Sequence, residues 1–99
     1  MTGAAGSVAP GMLKRTLPIG NKRGLHARAA AKFVRTAGQF DAAIRVSFKG
    51  QDVSGLSIMG LMMLAAGIGS SIELSCSGRQ ALEAMTALAA LVEGKFGED

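Results

Sequence analysis

The hydrophobic period of this chain switches between two residues and about 3.6 residues, and the order of the switches limits the folds open to it. Leu13, Leu17 and Ile19 share one face of a stretch that also carries Lys14, Arg15 and Thr16. Ile44, Val46 and Phe48 alternate with Arg45, Ser47 and Lys49, and Ile72, Leu74 and Cys76 alternate with Glu73 and Ser75. Period two means a strand with one apolar face and one wet face. Lys49-Gly50 is a turn signal, so a short returning strand at Gln51-Asp52-Val53 completes a hairpin. Pro18 cannot donate a ladder hydrogen bond, which assigns the first strand to a sheet edge.

Between these stretches the spacing is helical. From Ala27, residues Ala30, Phe33, Val34 and Ala37 point inward, Lys32, Arg35 and Gln39 point outward, and Gly38 is the stop. A second, short helix is expected over Ser57–Ala65, with Ser57 as its N-cap. Ile58, Leu61, Met62 and Ala65 form its inward stripe, leaving Met59 and Met63 on another face. Ser77-Gly78-Arg79-Gln80 fits a capping box for a third helix, which buries Leu82, Met85, Leu88, Ala89 and Val92 and ends at Gly94. The order is strand, helix, strand, strand, helix, strand, helix. With one apolar face per strand, it predicts a single α+β domain, an open-faced sandwich with helices on one side of an antiparallel sheet. Residues 1–11, rich in Gly, Ala, Ser and Pro, are expected to be a disordered extension. The domain then runs over 12–94, and 95–99 is expected to fray.

Apolar residues make up 48% of the 99 positions, enough to bury a core without metal or disulfide support. The single cysteine, Cys76, lies in an alternating stretch and reads as a core thiol. One Cys and one His argue against a structural zinc site. There is no signal-peptide pattern and no run of about 18 apolar residues, so membrane insertion is not expected and the cytoplasm is. The net charge of +4 favours an acidic partner without choosing among protein, phosphate and nucleic acid.

The chemistry concentrates at His26, the only histidine, placed where the first strand gives way to a helix. Lys22, Arg23, Arg28, Lys32 and Arg35 lie close by in sequence, and no acidic residue precedes Asp41. Unpaired N–H groups at a helix start favour an anion and suit a neutral, nucleophilic imidazole. Arg28 can bring several donors to a phosphoryl oxygen, and Ala27, Ala29 and Ala30 leave the site open. Together these residues suit in-line phosphoryl transfer to a ring nitrogen. No acidic cluster is available for magnesium and there is no Walker loop, so donor and acceptor proteins must supply the rest. No metal or cofactor is expected. Spacing alone leaves a second explanation open, in which His26 only caps a helix and Arg28 is a solvated charge. A basic nucleic-acid-binding domain is the alternative function, but interleaved aromatics and an RNA-binding signature are missing.

Gly24-Leu25-His26-Ala27-Arg28-Ala29-Ala30 closely resembles the active-site signature of the HPr family, the histidine-containing phosphocarriers of the bacterial phosphoenolpyruvate-dependent phosphotransferase system. Ser57-Ile58-Met59-Gly60 resembles that family's second signature, and the similarity runs from Leu13 to Val92. The resemblance implies a four-stranded antiparallel sheet with three helices on one face. It implies that His26 takes phosphate on Nδ1 from phospho-enzyme I and passes it to an EIIA-type protein, for sugar uptake or metabolic regulation, with Arg28 assisting. Such a protein turns over no small molecule alone, and a monomer is expected. Ser57 matches the serine that a dedicated HPr kinase/phosphorylase modifies in many relatives. Ile58, Met59 and Met62 match an apolar partner-docking patch, and Lys32 and Arg35 are expected to add electrostatic docking. Ala29 stands where the family usually has proline, which loosens the helix start and is expected to affect rate modestly.

Overall fold

The computed structural model describes residues 12–98; the extension expected over 1–11 lies outside the described residues. The elements are β1 (Leu13–Pro18), α1 (Ala27–Ala37), β2 (Ala43–Phe48), β3 (Gln51–Ser54), α2 (Ile58–Met63), β4 (Ser71–Ser77) and α3 (Ala81–Glu93), followed by a 3₁₀ turn at Lys95–Gly97. The strands form one sheet in the order β1-β4-β2-β3, and each neighbouring pair is antiparallel. Pro18 therefore sits on an edge strand, as its missing N–H requires.

Strand register aligns the apolar positions on one face. Leu17 pairs with Ile72, Val46 with Leu74, and Ile44 with Cys76. All six are buried, while Arg15, Arg45 and Glu73 are exposed. Phe33, Ala29, Ala30 and Ala37 from α1 join them in the core, with Ala84, Met85, Leu88, Ala89 and Val92 from α3. Burial pushes the Cys76 thiol pKa up to about 11.

Three expectations fail, each for a tertiary reason. Ser77 does not cap α3: it pairs with Ala43 as the last residue of β4. Gly78, at φ +107, then turns the chain, and Gln80 becomes the N-cap without a side-chain cap bond. The Gln80 side chain instead accepts from the Asp41 amide at 2.7 Å. Met85, Leu88, Ala89 and Val92 are buried as expected, but in the first turn the stripe continues through Ala81 and Ala84, and Leu82 is 66% exposed.

In α2 only Leu61 is fully buried. Ile58 and Met62 remain 40% and 38% exposed, and Ala65 is exposed beyond the helix end. A six-residue helix presents too few turns to bury the whole stripe.

The C-terminal segment does not fray over residues 95–98. Lys95 and Phe96 both adopt left-handed backbone angles, and Phe96 is 0% exposed. The two left-handed residues together cost about 2–4 kcal/mol, which the roughly 1.5–3 kcal/mol from burying a phenylalanine offsets in large part. The Lys32 ammonium adds a 2.7 Å hydrogen bond to the Phe96 carbonyl. The turn thus rests on side-chain burial and a contact to α1, which the local sequence does not display.

Candidate functional site

The loop between β1 and α1 is built around two small devices. Asn21 is fully buried, and its Nδ2 donates to the Gly24 carbonyl at 2.9 Å while the Gly24 amide donates back to the Asn21 carbonyl. Gly24 has φ +63, and a Cβ there would lie 2.4 Å from the Ala66 carbonyl oxygen. Only glycine meets both conditions. Buried Leu25 then donates its amide to the Ala66 carbonyl at 3.0 Å. The residue before His26 is therefore tied to the loop that follows α2.

His26 is the N-cap of α1, with extended backbone angles, and its carbonyl accepts from Ala30. Its imidazole does not cap the helix. The ring turns instead toward the C-terminal segment, where Nε2 lies 2.5 Å from Glu98 Oε2. Glu98 Oε1 accepts from Asn21 Nδ2 at 3.0 Å. The Asn21 bond and then the His26 bond hold the Glu98 carboxyl below its ordinary value. An ionised carboxylate can only accept, so Nε2 is the donor, and in the neutral tautomer this bond selects, the lone pair belongs to Nδ1. No hydrogen bond reaches Nδ1 among the described residues. Both hydrogens of Asn21 Nδ2 are engaged, while Asn21 Oδ1 is buried without a partner among the described residues. An amide flip would set oxygen against two acceptors, so this orphan oxygen is the less costly arrangement.

The sequence-predicted residues divide by environment. Arg28 lies in the first turn of α1, exposed and without a hydrogen bond or ion pair among the described residues. Arg35 is exposed on the last turn of the same helix. Lys32, expected to add charge for docking, donates from its ammonium to the Phe96 carbonyl at 2.7 Å. Ala29, in place of proline, is buried in the helix and leaves α1 intact.

Ser57 caps α2, its Oγ accepting from the Gly60 amide at 2.9 Å. Met59 is 67% exposed and Met63 72%, beside the half-exposed Ile58 and Met62. Leu56 and Ile68 extend this apolar exposure on either side of α2 in sequence. The Leu25–Ala66 bond places the end of this region against the His26 loop.

Sequence reasoning missed Glu98 and the structural role of Phe96. Glu98 is separated from His26 by 72 positions, so no local spacing could join them. The one available signal was Phe96, an aromatic in an otherwise polar tail.

The family described as "PTS HPr component phosphorylation site" matches residues 13–94. The chain is 52% identical over 87 residues to the phosphocarrier protein HPr of Cupriavidus necator, covering 88% of this chain and 98% of that one. It is 53% identical over 87 residues to HPr of Neisseria meningitidis, with the same coverage. The crystal structure of HPr-C-His from Thermoanaerobacter tengcongensis superposes with a TM-score of 0.84 at 45% identity, covering 88% of this chain and 98% of that one. Nothing among these similarities supports the nucleic-acid-binding alternative. With two spaced signatures, the four-stranded fold and similarity over nearly the whole domain, the chain belongs to the HPr family of phosphocarrier proteins of the phosphotransferase system.

Proposed function

We propose that His26 Nδ1 carries the phosphoryl group between phospho-enzyme I and an EIIA-type protein. The observation that carries this reading is the Glu98 contact to Nε2, which leaves Nδ1 as the ring nitrogen with an open lone pair. Nδ1 attacks phosphorus in line as the donor's P–N bond breaks, and the departing electron pair stays on the donor nitrogen. The Arg28 guanidinium and the uncapped N–H groups opening α1 supply positive potential to the phosphoryl oxygens. Transfer onward to the acceptor histidine repeats the chemistry in reverse at this protein.

Ile58, Met59 and Met62 supply the apolar contact with both partners, and Arg35 supplies charge at the rim. Lys32 is assigned to holding the C-terminal turn instead. Ser57 is the regulatory site for a kinase/phosphorylase of the HPr type; phosphate there would set negative charge beside the exposed methionines. A monomer acting in the cytoplasm fits this exchange of partners, and no helix among the described residues is long and apolar enough to cross a membrane.

Incubation with phosphoenolpyruvate and enzyme I is expected to add one acid-labile phosphate, abolished in His26→Ala. Persistent labelling of that variant would remove His26 from the reaction. Transfer from the labelled protein to a panel of EIIA-type proteins identifies the acceptor.

A further inference from the structure

We propose that the exposed face of α2 and the basic surface of α1 beside it form a docking site for a membrane surface of anionic lipid. The contact is peripheral: it reaches the headgroup boundary and spans nothing.

Partner proteins account for Ile58, Met59 and Met62 in the reading above, but the apolar exposure runs further. Leu56, Met63 and Ile68 are each more than half exposed as well. Exposed apolar surface of this extent marks either a protein contact or a membrane contact. Charge separates the two. α1 packs against α2, and neither helix contains an acidic residue. Arg28 and Arg35 are exposed on α1, and Lys22 and Arg23 are exposed in the loop before it. The acidic side chains among the described residues are engaged or lie elsewhere. Asp41 pairs with Arg79, Asp52 with Arg45 and Glu93 with Arg15. Glu73 lies on the sheet face away from the helices and Glu83 on α3, while Glu98 is turned onto His26 and Asn21.

A lipid surface of one sign fits this pattern. Anionic headgroups are laterally continuous, so basic groups spread over a loop and the length of α1 all find counter-charge without a fixed register. A protein partner must instead set each carboxylate opposite its base. The apolar side chains then reach the boundary between headgroups and acyl chains, where unbranched methionines adapt to a disordered interface. At six residues α2 is too short to hold a membrane as an amphipathic helix of its own, so apolar burial and charge must act together. Binding is therefore weak, reversible and sensitive to salt. It covers the surface proposed for partner proteins, so lipid and enzyme I compete for it.

The test floats the full-length protein with vesicles of phosphatidylcholine, alone or mixed with an equal amount of phosphatidylglycerol. Binding to the mixed vesicles is expected to exceed binding to the neutral ones by about tenfold and to fall as salt is raised. Two double variants probe the two halves of the face. Arg23→Glu with Arg35→Glu, and Met59→Ser with Met63→Ser, are each expected to lower binding by about tenfold. All four residues are exposed, so circular dichroism should show unchanged folding. Lys14→Glu with Lys49→Glu changes the net charge equally, but on the outer sheet face and at the β2–β3 turn, and should leave binding within about twofold of wild type. An equal loss in this control would reduce the effect to net charge and overturn the proposal, as would a methionine variant that binds like wild type. Flotation with neither vesicle, or equally with both, would reject the lipid site. Retained binding of enzyme I in the same preparation would then assign the face to protein partners alone.

Discussion

The Leu25 amide donates to the Ala66 carbonyl at 3.0 Å, and this one bond joins the His26 loop to the loop that follows α2. Gly24 lies against the same carbonyl, so the junction leaves no room for a side chain. Gly24→Ala would meet the Ala66 oxygen at 2.4 Å and the Gly67 Cα at 2.8 Å while holding φ +63. Backbone atoms cannot rotate away as a side chain can. The expected loss of stability is roughly 2–4 kcal/mol in urea unfolding. Gly50→Ala is the control: it has a left-handed φ but nothing within 4 Å, and should cost only about 1 kcal/mol.

Leu61 and Met59 lie two positions apart on α2 and should behave oppositely. Leu61 is fully buried, so Leu61→Ala is expected to cost about 2–5 kcal/mol. Met59 is 67% exposed, and Met59→Ala should stay within about 0.5 kcal/mol of wild type. Calorimetric titration with enzyme I should show weaker binding for Met59→Ala despite its normal stability. Unchanged affinity would separate the exposed methionine from docking.

Ser57 combines an observed cap with a proposed regulatory role, and two substitutions separate them. Ser57→Ala removes the acceptor for the Gly60 amide and should cost about 1 kcal/mol. Ser57→Asp keeps a capping oxygen and adds negative charge at a helix start, so its stability should stay near wild type. Partner affinity should nevertheless fall in Ser57→Asp. Equal affinity for the two variants would place the regulatory effect elsewhere.

The acid limb of stability should carry a contribution from Glu98. Its folded-state carboxyl lies below the ordinary 4.5, chiefly through the Asn21 hydrogen bond and then that of His26. Stabilisation is therefore present above pH 4.5 and disappears as pH falls through the lower folded value. Amide exchange at Gly97 and Glu98 should accelerate in that acidic window before the sheet unfolds. Glu98→Gln should remove the acid dependence of that local opening.

Cys76 should be inert in the native protein. Its thiol is fully buried and titrates at about 11, against 9.0 for the exposed group, because burial disfavours the thiolate. Alkylation at pH 8 is expected only with denaturant present. The sign also sets the alkaline limb: this contribution is complete below pH 9.0 and is lost as pH rises toward 11.

Periodicity and short spacings were legible without the structure because they are local. The alternation of Ile72, Leu74 and Cys76 set a face, Pro18 set an edge, and Ser57 set a helix start, since each depends on backbone geometry within a few residues. His26 at the opening of α1 was legible for the same reason. Ser77 was misread because a ladder pair with Ala43 holds the serine in β4 and delays α3, and Leu82 because Ala81 and Ala84 fill the buried face of the first turn. The direction of the His26 ring was decided only by tertiary structure. Phe96 had to find the core, Lys32 had to hold the turn, and only then could Glu98 reach Nε2 from 72 residues away. The sequence singled out His26 as the candidate phosphoryl acceptor and set the type and order of the surrounding elements. Chain closure at the far end of the domain decided which ring nitrogen is left open, because a hydrogen bond forms where atoms meet in space, whatever their separation along the chain.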